Sequence, residues 1–226
     1  MRKIVLLILT ALPLFAGFFP ETVQTSISDV NKKSIILSSP FPVNGMSGVV
    51  IHKYSKDLEA ITHRVVQKTA KEIKILNKNI LHHDELPTIK TPIFLKDKVI
   101  GGYLYDSVLL LAPNAQTYAK ITSFYDKKWV HPDVFALYLS KLGENVPTRK
   151  NLKSFAQAYE VGLICIVGKG TIKLLDPISG YIVAKQAIDK LPPKGEAPFF
   201  MRFDEIESGM FTADNKQGYY RIMDQL

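Results

Sequence analysis

Short alternating runs of apolar and polar residues occupy the first half of the chain after its first 16 residues. In "TVQTSI", Val23, Thr25 and Ile27 alternate with their neighbours and fall on one face. The runs "SIILSS", "SGVVIHKYS", "EAITHRVVQK" and "AKEIKIL" follow it between polar turns. A period of two residues is typical of strands with one buried face. The segment "NKNILHHDELPTIKTP" is polar, carries two prolines, and is predicted to be a loop. "KVIGGYLY" and "SVLLLA" then form a pair of apolar strands that closes this half.

The apolar spacing changes to a helical period after Pro113-Asn114. A first helix is predicted from Ala115, a second from Pro132 to about Gly143, and a third from Thr148, which is a suitable N-cap. Pro132 suits the first position of a helix because its φ angle is fixed and it has no N–H to leave unpaired.

A strand and a hairpin follow the three helices. "GLICIV" is apolar at every position after its glycine, which predicts a central strand covered on both faces. "TIKLL" and "YIVAK" are separated by Asp176-Pro177-Ile178-Ser179-Gly180, a typical turn composition. The last part, "LPPKGEAP" and "FFMRFDEIESGMF", is predicted as a loop and then a last strand or short helix.

These elements predict an α+β protein of two lobes. Residues 17–112 form a β-rich lobe, a small barrel or a sandwich, and residues 113–226 form a lobe of three helices with a β-hairpin. The chain of 226 residues is 46% hydrophobic, which is enough for at least one full core.

The N-terminus has the layout of a secretory signal peptide. Arg2 and Lys3 precede an apolar run from Ile4 to Phe15, and small residues follow. We expect export and cleavage near Ala16, with an uncleaved N-terminal anchor as the alternative. Cleavage leaves 27 basic against 21 acidic residues, a net charge of +6 in place of +8. A charge of this sign favours anionic partners and says nothing about fold.

Two motifs in the hairpin region resemble reactive sites only superficially. Gly168-Lys169-Gly170 has the glycines of a phosphate loop, but a strand follows it where such a loop requires a helix, so a hairpin turn is expected. Cys165 is the only cysteine, and it falls inside an apolar strand, where a thiolate is disfavoured. We interpret it as a core residue.

The other candidates for chemistry are weaker still. His82-His83-Asp84-Glu85 is interpreted as a solvated loop, with a metal site completed by His52, His63 or His131 as the alternative. Asp204 and Glu205 are neighbours that would point to opposite sides of a strand. Nucleophile and metalloprotease motifs are absent from the sequence, so no enzyme, cofactor or catalytic residue is predicted.

The basic residues are scattered through both predicted lobes. Local groups occur at Lys32-Lys33, at Lys127-Lys128 and at Arg149, Lys150 and Lys153. A nucleic-acid surface would interleave aromatics with a basic stripe, so nucleic acid is not an expected partner. Trp129 is the one candidate for an exposed binding aromatic, although packing in the core is favoured over that role.

Longer stretches carry a family resemblance. "LLLAPNAQTYAKI", "HPDVFALYLSKLGENVPTRKNLKSFAQAYEVGLICIV" and "EAPFFMRFDEIESGMF" resemble the N-terminal domain family of the PgbA-type plasminogen-binding proteins of Helicobacter and Campylobacter-like bacteria. "SISDVNKKSIILSSP" and "GMSGVVIHKYSKDLEAI" are similar as well and come in the same order.

The resemblance implies a periplasmic or surface-exposed envelope protein with host plasminogen as a partner. PgbA-type proteins carry a Lys/Glu-rich tail that ends in lysine, whereas the present sequence ends at Asp224-Gln225-Leu226. This difference favours an alternative, in which the domain assembles with other envelope proteins or binds a small ligand without binding plasminogen. The sequence itself marks no binding residue.

Overall fold

A computed structural model describes residues 17–31, 34–77, 91–206 and 218–226. It contains a closed six-stranded barrel and a five-stranded sheet that carries helices, so the predicted α+β class with a small N-terminal barrel is confirmed. The predicted signal peptide, at residues 1–16, lies outside the described part of the chain. Within that part, no helix combines the length and the apolar character needed to cross a membrane.

The barrel is formed by six antiparallel strands and is closed by pairing of its last strand with its first. The order around it is β1-β2-β5-β4-β3-β6. The strands are β1 (Val23–Val30), β2 (Ile35–Leu37), β3 (Ser47–Lys53), β4 (Glu59–Thr69), β5 (Glu72–Asn77) and β6 (Lys98–Gly101).

Phe41 packs into the barrel where two strands lack side chains. A Cβ atom at Gly101 would lie 2.6 Å from the Phe41 ring, and one at Gly48 would lie 2.9 Å from it. The buried Gln67 side chain holds the backbone of Phe41 by accepting from its N–H at 2.6 Å and donating to its carbonyl at 3.2 Å. These two glycines are therefore required by close packing in the barrel core.

The second lobe, called the sheet lobe, has the strand order β11-β10-β9-β7-β8. Strand β7 runs parallel to both β8 and β9, and the remaining pairs are antiparallel. Its elements are β7 (Ser107–Leu111), α1 (Ala115–Phe124), β8 (Lys128–Val130), α2 (Pro132–Lys141), α3 (Arg149–Ala158), β9 (Leu163–Gly168), β10 (Thr171–Leu175), β11 (Ile182–Ala187) and α4 (Tyr219–Gln225).

The two central strands divide their side chains between two cores. On one face of β9, Cys165 and its neighbours at alternate positions join the core shared with the barrel, and on the other face Ile164 and Ile166 pack with the helices. Strand β7 alternates in the same way, with Leu110 on the first face and Leu109 and Leu111 on the second. The predicted central strand covered on both faces is therefore confirmed.

Strand β7 differs from the sequence-based pairing. The sequence pattern pairs "SVLLLA" with "KVIGGYLY", whereas in the structure β6 closes the barrel and β7 enters the sheet lobe. Between them the chain reverses through Gly102 and Leu104, both with positive φ. The physical reason is that β7 is apolar on both faces, and only an interior position in a covered sheet buries both.

The three predicted helices form with the expected caps. Asn114 accepts a hydrogen bond from the Thr117 N–H at the start of α1, and Pro132 occupies the first turn of α2. Thr148 and Asn151 form a reciprocal capping box on α3. The sequence predicts a last strand or short helix in "FFMRFDEIESGMF", residues 199–211. Residues 199–206 of this run are irregular in the structure, and residues 207–211 lie outside the described part of the chain. Helix α4, further along the chain, was not predicted.

A buried carboxylate joins the two lobes. Asp176 is fully buried, and its Oδ2 atom accepts hydrogen bonds from the Ser47 N–H of β3 and the Tyr105 hydroxyl, both at 2.7 Å. Its Oδ1 atom accepts from the backbone N–H groups of Ile178 and Ser179, each at 2.9 Å. The predicted turn is thus present, and its first residue also fixes β3 to the sheet lobe. Burial and the Asp176 charge raise the pKa of Tyr105 far above its usual range, so this hydroxyl stays a donor.

We predict that Asp176→Ala destabilises the protein by about 3 kcal/mol, because four donors lose their acceptor and at least two of them stay buried. Tyr105→Phe should cost about 1.5 kcal/mol, since it removes one donor to a charged acceptor. Denaturant unfolding measures both free energies. Asp126→Ala, at an exposed carboxylate, is the control, with a change within about 0.5 kcal/mol. A loss below that control value for Asp176→Ala would contradict the assigned role.

Candidate binding surface

A tight turn at one end of the barrel fixes the position of a carboxylate. The chain reverses over residues 94–97, where the Asp97 N–H donates to the Phe94 carbonyl and the Phe94 N–H donates to Asp97 Oδ2 at 2.8 Å. Backbone hydrogen bonds in both directions with Ile27 attach the turn to β1. The Asp97 side chain is consequently buried and has one oxygen atom free for another partner.

That partner is a histidine of β3. His52 Nδ1 donates to Asp97 Oδ1 at 2.7 Å, which fixes the orientation of the ring. Two aromatic rings flank the imidazole: Tyr54 in an edge-to-face arrangement at 4.8 Å between centroids and Phe94 at 4.9 Å. The Tyr54 hydroxyl is hydrogen-bonded to the Thr91 hydroxyl. The rings are therefore held in place by packing and by polar contacts.

Large apolar side chains around this histidine are exposed to solvent. Tyr54 is 44% exposed, Phe94 45%, Leu58 58% and Leu95 60%, values too high for residues that serve only the barrel core. Contiguous exposed apolar side chains are typical of interaction sites, and rigid aromatic side chains lose little entropy on binding. We call this surface the barrel-end patch and define it as His52, Tyr54, Leu58, Phe94 and Leu95.

Two exposed lysines are sequence neighbours of patch residues. Lys53 follows His52 on β3, and Lys96 lies in the turn that carries Phe94; both are exposed. Among the described residues neither has a carboxylate within ion-pair distance, whereas Lys98 is paired with Glu59 at 2.9 Å. Exposed lysines without a described carboxylate partner therefore adjoin the patch residues in the sequence.

The sequence did not single out this surface. A usable signal exists in "FLKDK", because two large apolar residues stand in a short polar turn where no core-facing strand requires them. The remaining members come from β3 and the turn after it, and only the barrel closure brings them next to residues 94–97.

The predicted hairpin and core cysteine are confirmed. Gly168 and Thr171 pair across the turn between β9 and β10, and Gly170 has a φ of 72°, which favours glycine. Cys165 is fully buried, and burial raises the pKa of its thiol well above the usual range.

Three of the five histidines, His52, His63 and His131, lie in the described part of the chain. His82-His83-Asp84-Glu85 lies outside the described residues, and His131 caps α2 in the sheet lobe by accepting from the Asp133 N–H. His63 is buried in the barrel, where its Nδ1 contacts the Thr62 hydroxyl at 3.1 Å. Over the residues that the structure describes, no group of three histidine, cysteine or acidic side chains could hold a metal ion.

The remaining sequence candidates are dispersed. Trp129 packs against the core and donates from its indole N–H to the Tyr125 carbonyl at 3.2 Å, so the favoured packing role is confirmed. Asp204 and Glu205 are exposed in an irregular segment. Lys127 lies 3.3 Å from Asp106, and Lys32-Lys33 falls outside the description.

A small cleft lies where the barrel meets α3 and the chain before β7. Its volume is about 200 Å³, and its lining includes Arg64 of β4, Tyr103 and Glu160. Pockets for drug-sized ligands are generally larger, about 300–1,000 Å³. The barrel-end patch is therefore the stronger candidate for function.

A closed barrel joined to a helix-covered sheet, with exposed aromatic side chains at one end of the barrel, defines the fold class of this α+β protein. The chain belongs to the family described as "Plasminogen-binding protein pgbA N-terminal", whose model matches residues 22–226. It is 26% identical over 233 residues to the "Plasminogen-binding protein PgbA" of Helicobacter pylori strain J99, and 26% identical to that of strain 26695. Each alignment covers 98% of this chain and 51% of the relative, so the chain spans about half their length. No solved structure matches the chain.

The resemblance recognised in the sequence is thus confirmed at the level of the family. Its relatives are named as binding proteins, which agrees with a binding role rather than an enzymatic one.

Burial of His63 predicts a pH-dependent stability. Burial lowers its pKa below 6.5, and the nearby Asp97 only partly opposes this shift. The unfolded chain therefore binds more protons at that position, so the contribution is complete above pH 6.5 and is lost as pH falls through the folded-state pKa. Glutamine does not titrate, so the free energy of unfolding of His63→Gln should fall less than that of the wild type between about pH 7.5 and pH 5. Denaturant midpoints across this range measure the difference, and parallel pH profiles would refute the assignment.

Proposed function

We propose that this chain is an exported interaction protein of the bacterial cell envelope and that it binds host plasminogen through the barrel-end patch. The observation that carries the proposal is the family match over residues 22–226, since relatives in both Helicobacter strains are named for plasminogen binding. The chain covers about half of those relatives, so their activity is extended to it here as a hypothesis.

The chemistry of the patch is compatible with this partner. Kringle domains of plasminogen bind lysine by pairing its ammonium group with carboxylates and packing its methylenes on aromatic rings. Lys53 and Lys96 are exposed and adjoin Tyr54 and Leu95 in the sequence, and among the described residues neither is ion-paired. Tyr54 and Phe94 supply the apolar area of the patch. A lysine ligand displayed beside rigid rings loses less entropy on binding than one on a mobile segment.

We predict that purified protein lacking residues 1–16 captures plasminogen saturably and that a soluble lysine analogue displaces it. Lys53→Gln with Lys96→Gln should weaken binding about tenfold, equivalent to about 1.4 kcal/mol for two partly solvated charge contacts. Surface plasmon resonance gives both affinities. Lys120→Gln with Lys194→Gln removes the same charge from exposed lysines elsewhere and should leave the affinity unchanged.

A second pair of variants tests the apolar part of the surface. Tyr54→Ser with Phe94→Ser should weaken capture, whereas Leu137→Ser with Phe203→Ser, at exposed positions in the sheet lobe, should not. Absence of lysine-competable capture by the wild type would remove plasminogen as a partner and leave assembly with other envelope proteins as the surviving function.

Export is a separate proposal, supported by the charge and apolar pattern of residues 1–16. We predict that the full chain is recovered from its own cells in the periplasm or at the surface with Gly17 near its N-terminus. Leu6→Asp with Leu7→Asp should retain it in the cytosol, because the apolar run is interrupted. Cell fractionation with mass spectrometry measures both results, and cytosolic recovery of the unaltered chain would refute export.

A further inference from the structure

Two lysines lie directly opposite each other on the edge hairpin of the sheet lobe. Lys173 of β10 and Lys185 of β11 are register partners, so their side chains project from the same face of the sheet. The next pair along that face, Leu175 and Ile182, belongs to the core under the helices. Like charges directly opposite in a strand pair are destabilising, so this pair requires an explanation.

A third cation, Arg149, lies within electrostatic range of Lys173. Arg149, at the start of α3, donates from Nη1 to the Gly180 carbonyl at 3.0 Å, which anchors it to the turn between β10 and β11. Lys173 makes a long contact of 3.4 Å from Nζ to the Met223 carbonyl of α4. Both acceptors are backbone carbonyls, which carry no full negative charge.

Carboxylates do not neutralise this group at close range. Among the described residues, none lies within 4.0 Å of a charged nitrogen of Arg149, Lys173 or Lys185. The acid that acts on Lys173 is the more distant Asp224, whose Oδ1 accepts from the Lys169 N–H at 3.4 Å. The pKa of Lys173 is lowered, first by burial and then by Lys185 and Arg149, while Asp224 opposes the shift.

We propose that Arg149, Lys173 and Lys185 form a binding site for a phosphate group. Among the described residues the carboxylate that acts on Lys173 is that of Asp224, so the three cations carry an excess of positive charge, which suits the charge of about −2 on a phosphate monoester near neutral pH. Lysine ammonium groups bind phosphate as point charges, and the arginine adds a planar fork of donors. The half-buried Lys173 offers the anion a partly desolvated contact, and the exposed Arg149 and Lys185 offer solvated ones.

This site is separate from the proposed plasminogen surface. It lies on the edge hairpin of the sheet lobe, and none of its residues belongs to the barrel-end patch. Loss of phosphate binding and loss of plasminogen capture are therefore independent results. The phosphate group can come from a soluble phosphate monoester or from a phospholipid headgroup, and the two sources require different probes.

The experiment uses protein lacking residues 1–16 in two arms. The first titrates inorganic phosphate against chloride at matched ionic strength and follows thermal unfolding and calorimetric binding. The second measures sedimentation with vesicles of phosphatidylcholine mixed with phosphatidylglycerol, and with phosphatidylcholine alone. Arg149→Gln, Lys173→Gln and Lys185→Gln are combined in one variant. Lys120→Gln, Lys141→Gln and Lys194→Gln form the control variant, with the same loss of charge at exposed positions.

We expect the site variant to bind phosphate or anionic vesicles about tenfold more weakly than the wild type, and the control variant to stay near the wild type. A response confined to the phosphate arm assigns a soluble ligand, and one confined to anionic vesicles assigns a headgroup. Equal weakening in both variants would indicate general charge attraction and overturn the site. Absence of binding in both arms would overturn it as well.

Side-chain NMR of the wild type provides a measurement that does not depend on variants folding. Phosphate should shift the Lys173 and Lys185 signals at concentrations that leave those of Lys120 and Lys194 unchanged, and it should raise the pKa of Lys173 because the anion favours its charged form. Uniform shifts of all four lysines would contradict a defined site.

Discussion

Burial of β7 and β9 on both faces is the constraint on which the rest of the structure depends. Every side chain of β9 is buried, and β7 is buried from its second residue onward, so each strand needs apolar cover on two sides. The barrel and α1 cover one side, and α2, α3 and α4 cover the other. Because burial of each large aliphatic side chain contributes about 1.5–3 kcal/mol, neither lobe could separate without exposing one face of this pair.

The polar contact at Asp176 follows from that packing. Covering one face of the sheet with a barrel brings the N–H of Ser47 and the hydroxyl of Tyr105 into a water-excluded junction, where each needs an acceptor. A single carboxylate accepts from both and also organises the turn between β10 and β11. Apolar burial thus stabilises the contact between the lobes, and the hydrogen bonds of the carboxylate fix their relative position.

The sequence predicted the elements better than it predicted their partners. Local signals are contained in a few consecutive residues, as with Thr148 at the start of α3 or the five residues after Leu175, and these predictions are confirmed. The pairing of β7 depends on a partner more than fifty residues away, and α4 depends on a surface that exists only after the sheet forms. Barrel closure likewise assembles the barrel-end patch from β3, the turn after it and residues 94–97, so its members could not be joined from sequence.

Both proposed binding surfaces are built from side chains that do not serve the apolar core. Its interior is occupied by aliphatic and aromatic side chains, and its buried polar groups, among them Asp176 and Gln67, are used to hold the backbone. The exposed rings around His52 and the cations beside Lys173 are accessible to a partner. Each set is costly for an isolated protein, the first through hydration of apolar area and the second through repulsion of like charges. A bound partner would relieve both costs, and this is the physical argument that the two proposed surfaces have in common.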